Sequence, residues 1–298
     1  MEKKIKTIGE ALRDIRKIKG MTQNDVMTKK LTRSSIAKIE TNKVNPSYTT
    51  ITTFANQLGV SLEEVLYYQN NYSISEKEKL IYEFRNLKLS TYDDPLSNLI
   101  TKMNIYLKKH YEIQIVELKA VLEASRIFTL TDDIEQARKK VEFIWDRLEK
   151  QDEWFYFDVL LLSNIIYMFE SDILIDVGKK IMKEIEKFTY NIHSLRLKMG
   201  ISLNLALFLK FAEKMDFAIE FIEIGLDLAK QNEDLVVQYL AYYRKAEYLL
   251  YKGDIQQAER LYNKAVNFFK FVDNNIMLTD IQTDWANYRI KLGLVNDK

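Results

Sequence analysis

The chain has 298 residues, 47% of them hydrophobic, which suffices for two domains of about 150 residues with a sizeable core and excludes a disordered polypeptide. Two prolines and eight glycines are too few for the turns of a β-sandwich or an α/β domain, so helices joined by short loops are expected. The formal net charge of +1 hides an asymmetry: residues 1–70 hold 12 Lys/Arg against 7 Asp/Glu, while residues 71–298 hold 32 against 36. A basic head on an acidic body suggests a head that meets a polyanion; chance unevenness of a charged surface is the bland alternative.

Cysteine is absent, which removes disulfides, zinc ribbons, iron–sulfur clusters and cysteine nucleophiles together and fits a reducing compartment, the cytoplasm by default. MEKKIKTIGE carries charge with no apolar run behind it, and Val159–Phe169, broken by Ser163 and Asn164, is far short of the ~18–20 residues that span a bilayer. No membrane partner is expected.

Ile8, Ala11, Leu12, Ile15 and Ile18 recur at helical spacing up to Gly20, which predicts a first helix. Thr22 with Asp25 resembles a capping box, which predicts a short second helix from Gln23 to Lys29. Thr32 then caps a third helix whose buried side is Ile36 and Ile39 and whose opposite side carries Arg33, Ser34, Ala37 and Lys38. Ser47 caps a fourth helix that ends at Gly59, and Ser61 with Glu64 opens a fifth. Two short helices joined by a tight turn make a helix-turn-helix.

Three stretches, IGEALRDIRKIKGMTQNDV, TRSSIAKIETNKVNPS and ITTFANQLGVSLEEVL, resemble the XRE or phage-repressor-like helix-turn-helix family. The strongest matches are Thr22-Gln23, Ser35-Ile36 with Ile39-Glu40, Asn45-Pro46-Ser47 and Leu58-Gly59-Val60-Ser61; Lys30 and Thr41-Asn42 stand where the family usually has glycine. The resemblance implies a third helix in the major groove of double-stranded operator DNA, with Arg33, Ser34 and Lys38 toward base edges. It puts Gln23, Thr32, Asn42, Ser47 and Tyr48 at phosphate-contacting positions. Thr32 and Ser47 are needed as caps in either case, and Lys38 also reads as a solvated charge.

Tyr72–Ser90 reads as a charged helical stretch and Thr91–Pro95 as a loop, so residues 71–95 are taken as a helical linker between a 1–70 DNA-binding domain and a 96–298 repeat domain. In that last part a period of about 40 residues emerges. Ala137, Gly178, Ala218 and Ala258 follow it, as do Ala206, Ala246 and Ala286, and Gly253 and Gly293. Tyr242, Ala246, Leu249, Gly253, Ala258, Tyr262 and Ala265 resemble the tetratricopeptide pattern of large, small and turn residues, although the repeats are longer than the usual ~34. The fold class expected is therefore all-α, a five-helix XRE-type head followed by a tetratricopeptide-like right-handed α-solenoid of about five helix pairs.

Together the two parts resemble the Rgg (also GadR or MutR) family of peptide-responsive transcription regulators. That resemblance implies a homodimer whose concave repeat groove binds a short signalling peptide of quorum-sensing type and so controls promoter activity. The cysteine bridge that joins the heads of some members is impossible here. In the tetratricopeptide register Glu123, Asn164, Asn204, Arg244 and Asp284 occupy one inward position, with Arg126, Tyr167, Leu207, Glu247 and Asn287 one turn further on. Asparagines can pair with the backbone of an extended peptide, Arg126 and Arg244 can hold a carboxylate or a terminus, and Tyr167, Leu207 and Tyr243 can supply apolar pockets. The alternative for each is to solvate or cross-link neighbouring helices.

Trp154-Phe155-Tyr156-Phe157 reads as core or dimer packing, and Asp132-Asp133 as a helix cap. His110 and His193 lack a partner at ligand spacing, and no phosphate loop or nucleophile motif is present, so no metal, cofactor or catalytic residue is expected. The competing function is a DNA-tethered adaptor whose repeats dock a protein partner without a peptide signal.

Overall fold

The computed structural model describes the backbone of residues 5–87, 93–131, 133–188 and 192–294; the side chains of residues 93, 94, 167, 171, 172, 192 and 193 lie outside that description. All regular elements among the described residues are helical. The chain divides into two compact units, Met1–Ile115 and Val116–Lys298.

In the first unit, α1 (Ile8–Ile18) opens with a full capping box between Thr7 and Glu10 and turns off at Gly20, whose φ of +68° suits glycine. α2 (Arg33–Glu40), α3 (Tyr48–Gln57) and α4 (Leu62–Gln69) are capped by Thr32, Ser47 and Ser61, whose side chains accept from the backbone N–H of Ser35, Thr50 and Glu64. Ala11, Leu12, Ile36, Phe54 and Val65 are fully buried in one core.

The expected second helix is a single turn over residues 23–26. The Thr22 hydroxyl donates to the Asp25 carboxylate at 2.8 Å instead of accepting from a backbone N–H, so only half of the capping box forms. The turn bonds are short-range, Asp25 N–H to Thr22 C=O and Met27 N–H to Asn24 C=O. Four α-helices and a turn therefore stand where five helices were expected. Val26 still reaches the core from that turn.

Gly9 sets how closely α1 approaches the end of α2. A Cβ there would lie 2.1 Å from the Ile39 carbonyl oxygen, a backbone atom that cannot rotate away. Gly9→Ala is therefore expected to cost the head about 1–3 kcal/mol or more, measured as a lowered urea midpoint by circular dichroism.

α5 (Glu76–Asn86) begins with a capping box from Ser75 and Glu78 and buries Leu80 and Phe84. It fills part of the stretch expected to be helical from Tyr72. Tyr72 itself has φ +58° and its ring makes edge contacts with Tyr67 and Tyr68, both at 5.6 Å. Residues 88–92, within the expected linker and loop, lie outside the described residues. α6 (Asp93–Leu107) takes in Pro95 within its first turn, where a missing N–H costs no intrahelical bond.

The second unit continues with α7 (Ile113–Thr131), which starts before the boundary, then α8 (Ile134–Leu148), α9 (Tyr156–Ile165) with a 3-10 turn at Ile166–Met168, and α10 (Ser171–Glu186). α11 (Ile192–Phe211), α12 (Met215–Gln231), α13 (Leu235–Tyr251), α14 (Ile255–Phe271) and α15 (Asn275–Lys291) complete it. These are four helix pairs and a last helix, where about five pairs were expected. First helices of successive pairs touch one another, α9 with α11, α11 with α13 and α13 with α15, which makes one continuous inner row.

The 40-residue period has a physical basis here. Ala137, Gly178, Ala218 and Ala258 are all buried, one in each of α8, α10, α12 and α14. A Cβ on Gly178 would come within 2.7 Å of Leu205, a side chain of α11. Ala206 and Ala246 are buried, but Ala286 is exposed, because no described helix follows α15. Large residues fill the gaps between helices: the Tyr262 ring of α14 stacks on Trp285 of α15, across to the last helix, at 4.5 Å, and within the α13–α14 pair Tyr239 stacks on Phe268 at 4.0 Å. Asp133 caps α8 through the Gln136 N–H, Trp154 is buried and Phe155 is exposed; Asp132 lies outside the described residues.

Candidate functional site

α2 has two opposed faces. Ile36, Ile39 and Glu40 point into the head, and Arg33, Ser34 and Lys38 are exposed on the opposite side. The inward face is fixed by charge as well as by packing. Arg16 of α1 makes a bidentate contact with Glu40, Nε to Oε1 at 2.6 Å and a terminal nitrogen to Oε2 at 2.8 Å, and also donates to the Met21 carbonyl. Burial works to raise the Glu40 carboxyl, but the hydrogen bonds from Arg16 and Gln23 outweigh it and hold the group below its ordinary range.

Gln23 is therefore occupied, its Nε2 donating to Glu40 at 3.0 Å from a partly buried position. Asn42 is exposed with φ +57°, and its Oδ1 accepts from the Thr7 hydroxyl at 2.6 Å. Thr32 and Ser47 serve as caps at the exposed N-termini of α2 and α3, and Tyr48, 72% exposed, stands at the start of α3. The outward side chains thus sit on a surface whose geometry is set by the buried Arg16–Glu40 pair. Sequence reading took α1 from its apolar positions and missed this role of Arg16; the signal available was an arginine one position from the buried Ile15.

In the second unit the candidates separate into two groups. Glu123 pairs with Lys119 at 3.2 Å and Arg126 is exposed on the same helix. Asn164 turns back on its own helix, donating to the Leu160 carbonyl at 2.7 Å and to Ser163. Asn204 and Asn287 are exposed and Leu207 is half-buried, while the side chain of Tyr167 lies outside the described residues.

Tyr243, Arg244, Glu247 and Asp284 instead converge on Lys210, which sequence reading did not single out. Lys210 Nζ donates to Glu247 Oε1 at 2.5 Å and to both oxygens of Asp284 at 2.8 Å. Arg244 donates to Glu247 Oε2 at 2.6 Å and to Asp284 at 3.2 Å, and the Tyr243 hydroxyl donates to Asp284 at 3.0 Å. Tyr243 and Glu247 have no exposed surface. The expectation of Tyr243 as an apolar groove wall gives way to a buried phenol, because α13 is enclosed by α11, α14 and α15.

Burial alone would raise the Asp284 carboxyl, but hydrogen bonding and charge from Lys210, with the charge of Arg244, hold it down to about 2. Burial pushes the Tyr243 phenol far up, so it stays a donor. A second buried ion pair lies in the same unit, Arg147 of α8 bridging Glu117 of α7 and Asp158 of α9.

An apolar cleft of ≈ 180 Å³ lies between α8 and the 3-10 turn, where Trp145 meets Phe169 edge-on at 4.6 Å. None of the described groove candidates lines it. Among the described residues no group of side chains suits a metal ion, and no helix is long and apolar enough to cross a membrane.

The family model described as "HTH-type transcriptional regulator Rgg, C-terminal domain" matches residues 101–283, more than half of the chain. The chain belongs to the Rgg family of HTH-type transcriptional regulators. A second model, "Helix-turn-helix domain", matches residues 9–72 of this Rgg-family chain, the span of α1 to α4. Solved structures share the fold at low identity. A proposed transcriptional regulator from Listeria monocytogenes EGD-e superposes with a TM-score of 0.78 at 20% identity, covering 97% of this chain and 99% of that one. The SHP pheromone receptor Rgg2 of Streptococcus dysgalactiae gives 0.69 at 16%, over 96% and 100% of the two chains. PlcR of Bacillus thuringiensis, in complex with the peptide PapR7 and DNA, gives 0.67 at 16%, over 92% and 98%. A search of curated proteins gives no match.

Proposed function

We propose that this Rgg-family protein is a dimeric transcription regulator of the cytoplasm that reads double-stranded operator DNA with α2 and binds a short signalling peptide in its repeat unit to control promoter activity. The observation that carries the reading is α2 itself, held from within by Ile36, Ile39 and the Arg16–Glu40 pair while Arg33, Ser34 and Lys38 face solvent. Arg33 has the donor geometry for a bidentate contact with a guanine edge, and Thr32, Ser47 and Tyr48 lie at helix starts suited to phosphates. Two heads would reach half-sites about 34 Å apart.

The inner row of first helices supplies the peptide surface, with Asn204, Leu207 and Asn287 as its open contacts. Support comes from the family match and from the fold shared with PlcR, whose structure contains both a peptide and DNA.

The test is selection of a preferred duplex from a random pool, followed by fluorescence polarisation. Arg33→Ala is expected to lose about 1–3 kcal/mol of discrimination at one base pair. Asn204→Ala is expected to keep operator affinity and lose response to peptide. Equal loss of DNA binding in both variants would overturn the division of labour.

A further inference from the structure

The cluster around Lys210 has more donors than its buried acceptor can use. Glu247 is fully buried and already bridges both cations, one oxygen to Lys210 and the other to Arg244. Two cations against one carboxylate leave one positive charge, and the phenol of Tyr243 adds a donor. Arg244 Nε is buried with no partner, a further donor left over among the described residues.

Asp284 satisfies this surplus, and it is the outlier of the group. Its side chain is 31% exposed, whereas those of Lys210, Glu247 and Arg244 are 4%, 1% and 13% exposed. It comes from α15, the last helix, 74 residues from Lys210. Beside it the Lys210 ammonium lies 5.2 Å from the ring of Phe211, which is itself exposed, and 5.0 Å from that of Tyr288.

We propose that Lys210, Tyr243 and Arg244 form a carboxylate-binding site of the repeat unit, that Asp284 fills it as the chain's own internal ligand, and that a peptide carboxylate exchanges with it. The proposal rests on the reading of the inner row as a peptide surface and names the chemistry of the ligand's anchoring group. Exchange of one carboxylate for another preserves the charge balance and the three donors, so the electrostatic cost nearly cancels. What favours Asp284 is its tether, and a ligand overcomes that with further contacts, for which Phe211 and the exposed Asn287, one turn beyond Asp284, are at hand. Release of Asp284 would also remove the ion pairs that tie α15 to Lys210 of α11 and Arg244 of α13, giving the repeat unit two states that differ in those contacts.

The full-length Asp284→Ala protein, with the site vacated, is melted in sodium formate, acetate or chloride at equal ionic strength. Tryptophan fluorescence, all of which comes from the repeat unit, serves as the readout. Formate and acetate are expected to raise the melting temperature of the variant by about 2–4 °C over chloride, and to leave the wild type close to its chloride value. Should Asp284→Ala fail to fold, Asp284→Asn keeps the shape and one acceptor and is expected to show the same order of anions with a smaller rise. N-acetyl-leucine, with only an α-carboxylate, and the α-amide of N-acetyl-aspartate, with only a side-chain carboxylate, then tell a peptide terminus from an acidic side chain; stabilisation by either supports the site. Carboxylates no better than chloride in both variants would overturn it. If peptide-dependent operator binding survived in that case, the carboxylate site alone would fall and the regulator reading would stand.

Discussion

Glu40→Ala is expected to unfold the head before the repeat unit and, with it, to abolish the operator binding proposed above. The carboxylate is buried, and its removal leaves the Arg16 guanidinium without its bidentate partner and Gln23 without its acceptor. Removing one member of a buried pair costs about 3–5 kcal/mol, since the remaining charge is desolvated and unpaired. A head of this size sits at the low end of the ~5–15 kcal/mol typical of domains, so such a loss populates the unfolded head. The three tryptophans, Trp145, Trp154 and Trp285, all belong to the second unit, which allows the two parts to be followed separately. In a urea titration the far-UV circular dichroism of the variant should gain an early transition while tryptophan fluorescence keeps the wild-type midpoint. A single unshifted transition by both probes would show that the pair does not hold α2.

Glu247→Ala acts on the other unit by the same physics and with comparable size. Among the described residues Glu247 is the one carboxylate that touches both Lys210 and Arg244 from a fully buried position, and without it Asp284 is left to face two buried cations. A loss of about 3–5 kcal/mol is expected, read as a lowered midpoint of tryptophan fluorescence with the circular dichroism of the head unmoved. The paired replacement Lys210→Met with Glu247→Leu removes one cation with one anion and leaves Arg244 to Asp284, so it should recover most of the loss. If the double variant were as unstable as the sum of its singles, packing rather than charge would be holding α11, α13 and α15 together.

These two ion pairs mark where sequence reading stopped. α1 was legible in its apolar spacing, and α2, α3 and α4 because their caps are local: Thr32, Ser47 and Ser61 each act on a backbone N–H three residues on. The turn at residues 23–26 was misread as a helix, since a threonine followed by an aspartate is the same string whether its hydroxyl accepts from the backbone or donates to the carboxylate. The repeat was legible in Ala137, Gly178, Ala218 and Ala258 because a small residue is required wherever one helix lies against the next. The tetratricopeptide register marked Arg244, Glu247 and Asp284 as inward, yet it is silent on how near the facing helix comes.

The amino-acid sequence by itself determined the helices, their caps, the 40-residue period and the exposed polar face of α2, all of which depend on neighbours within a few residues. Only the tertiary structure decided that Arg16 serves Glu40, that Gln23 is bound within the head, and that Lys210 gathers partners 37 and 74 residues away. Periodicity records which side of a helix is covered. The pairing of a buried charge depends on which distant helix covers it, and that is settled only when the helices pack.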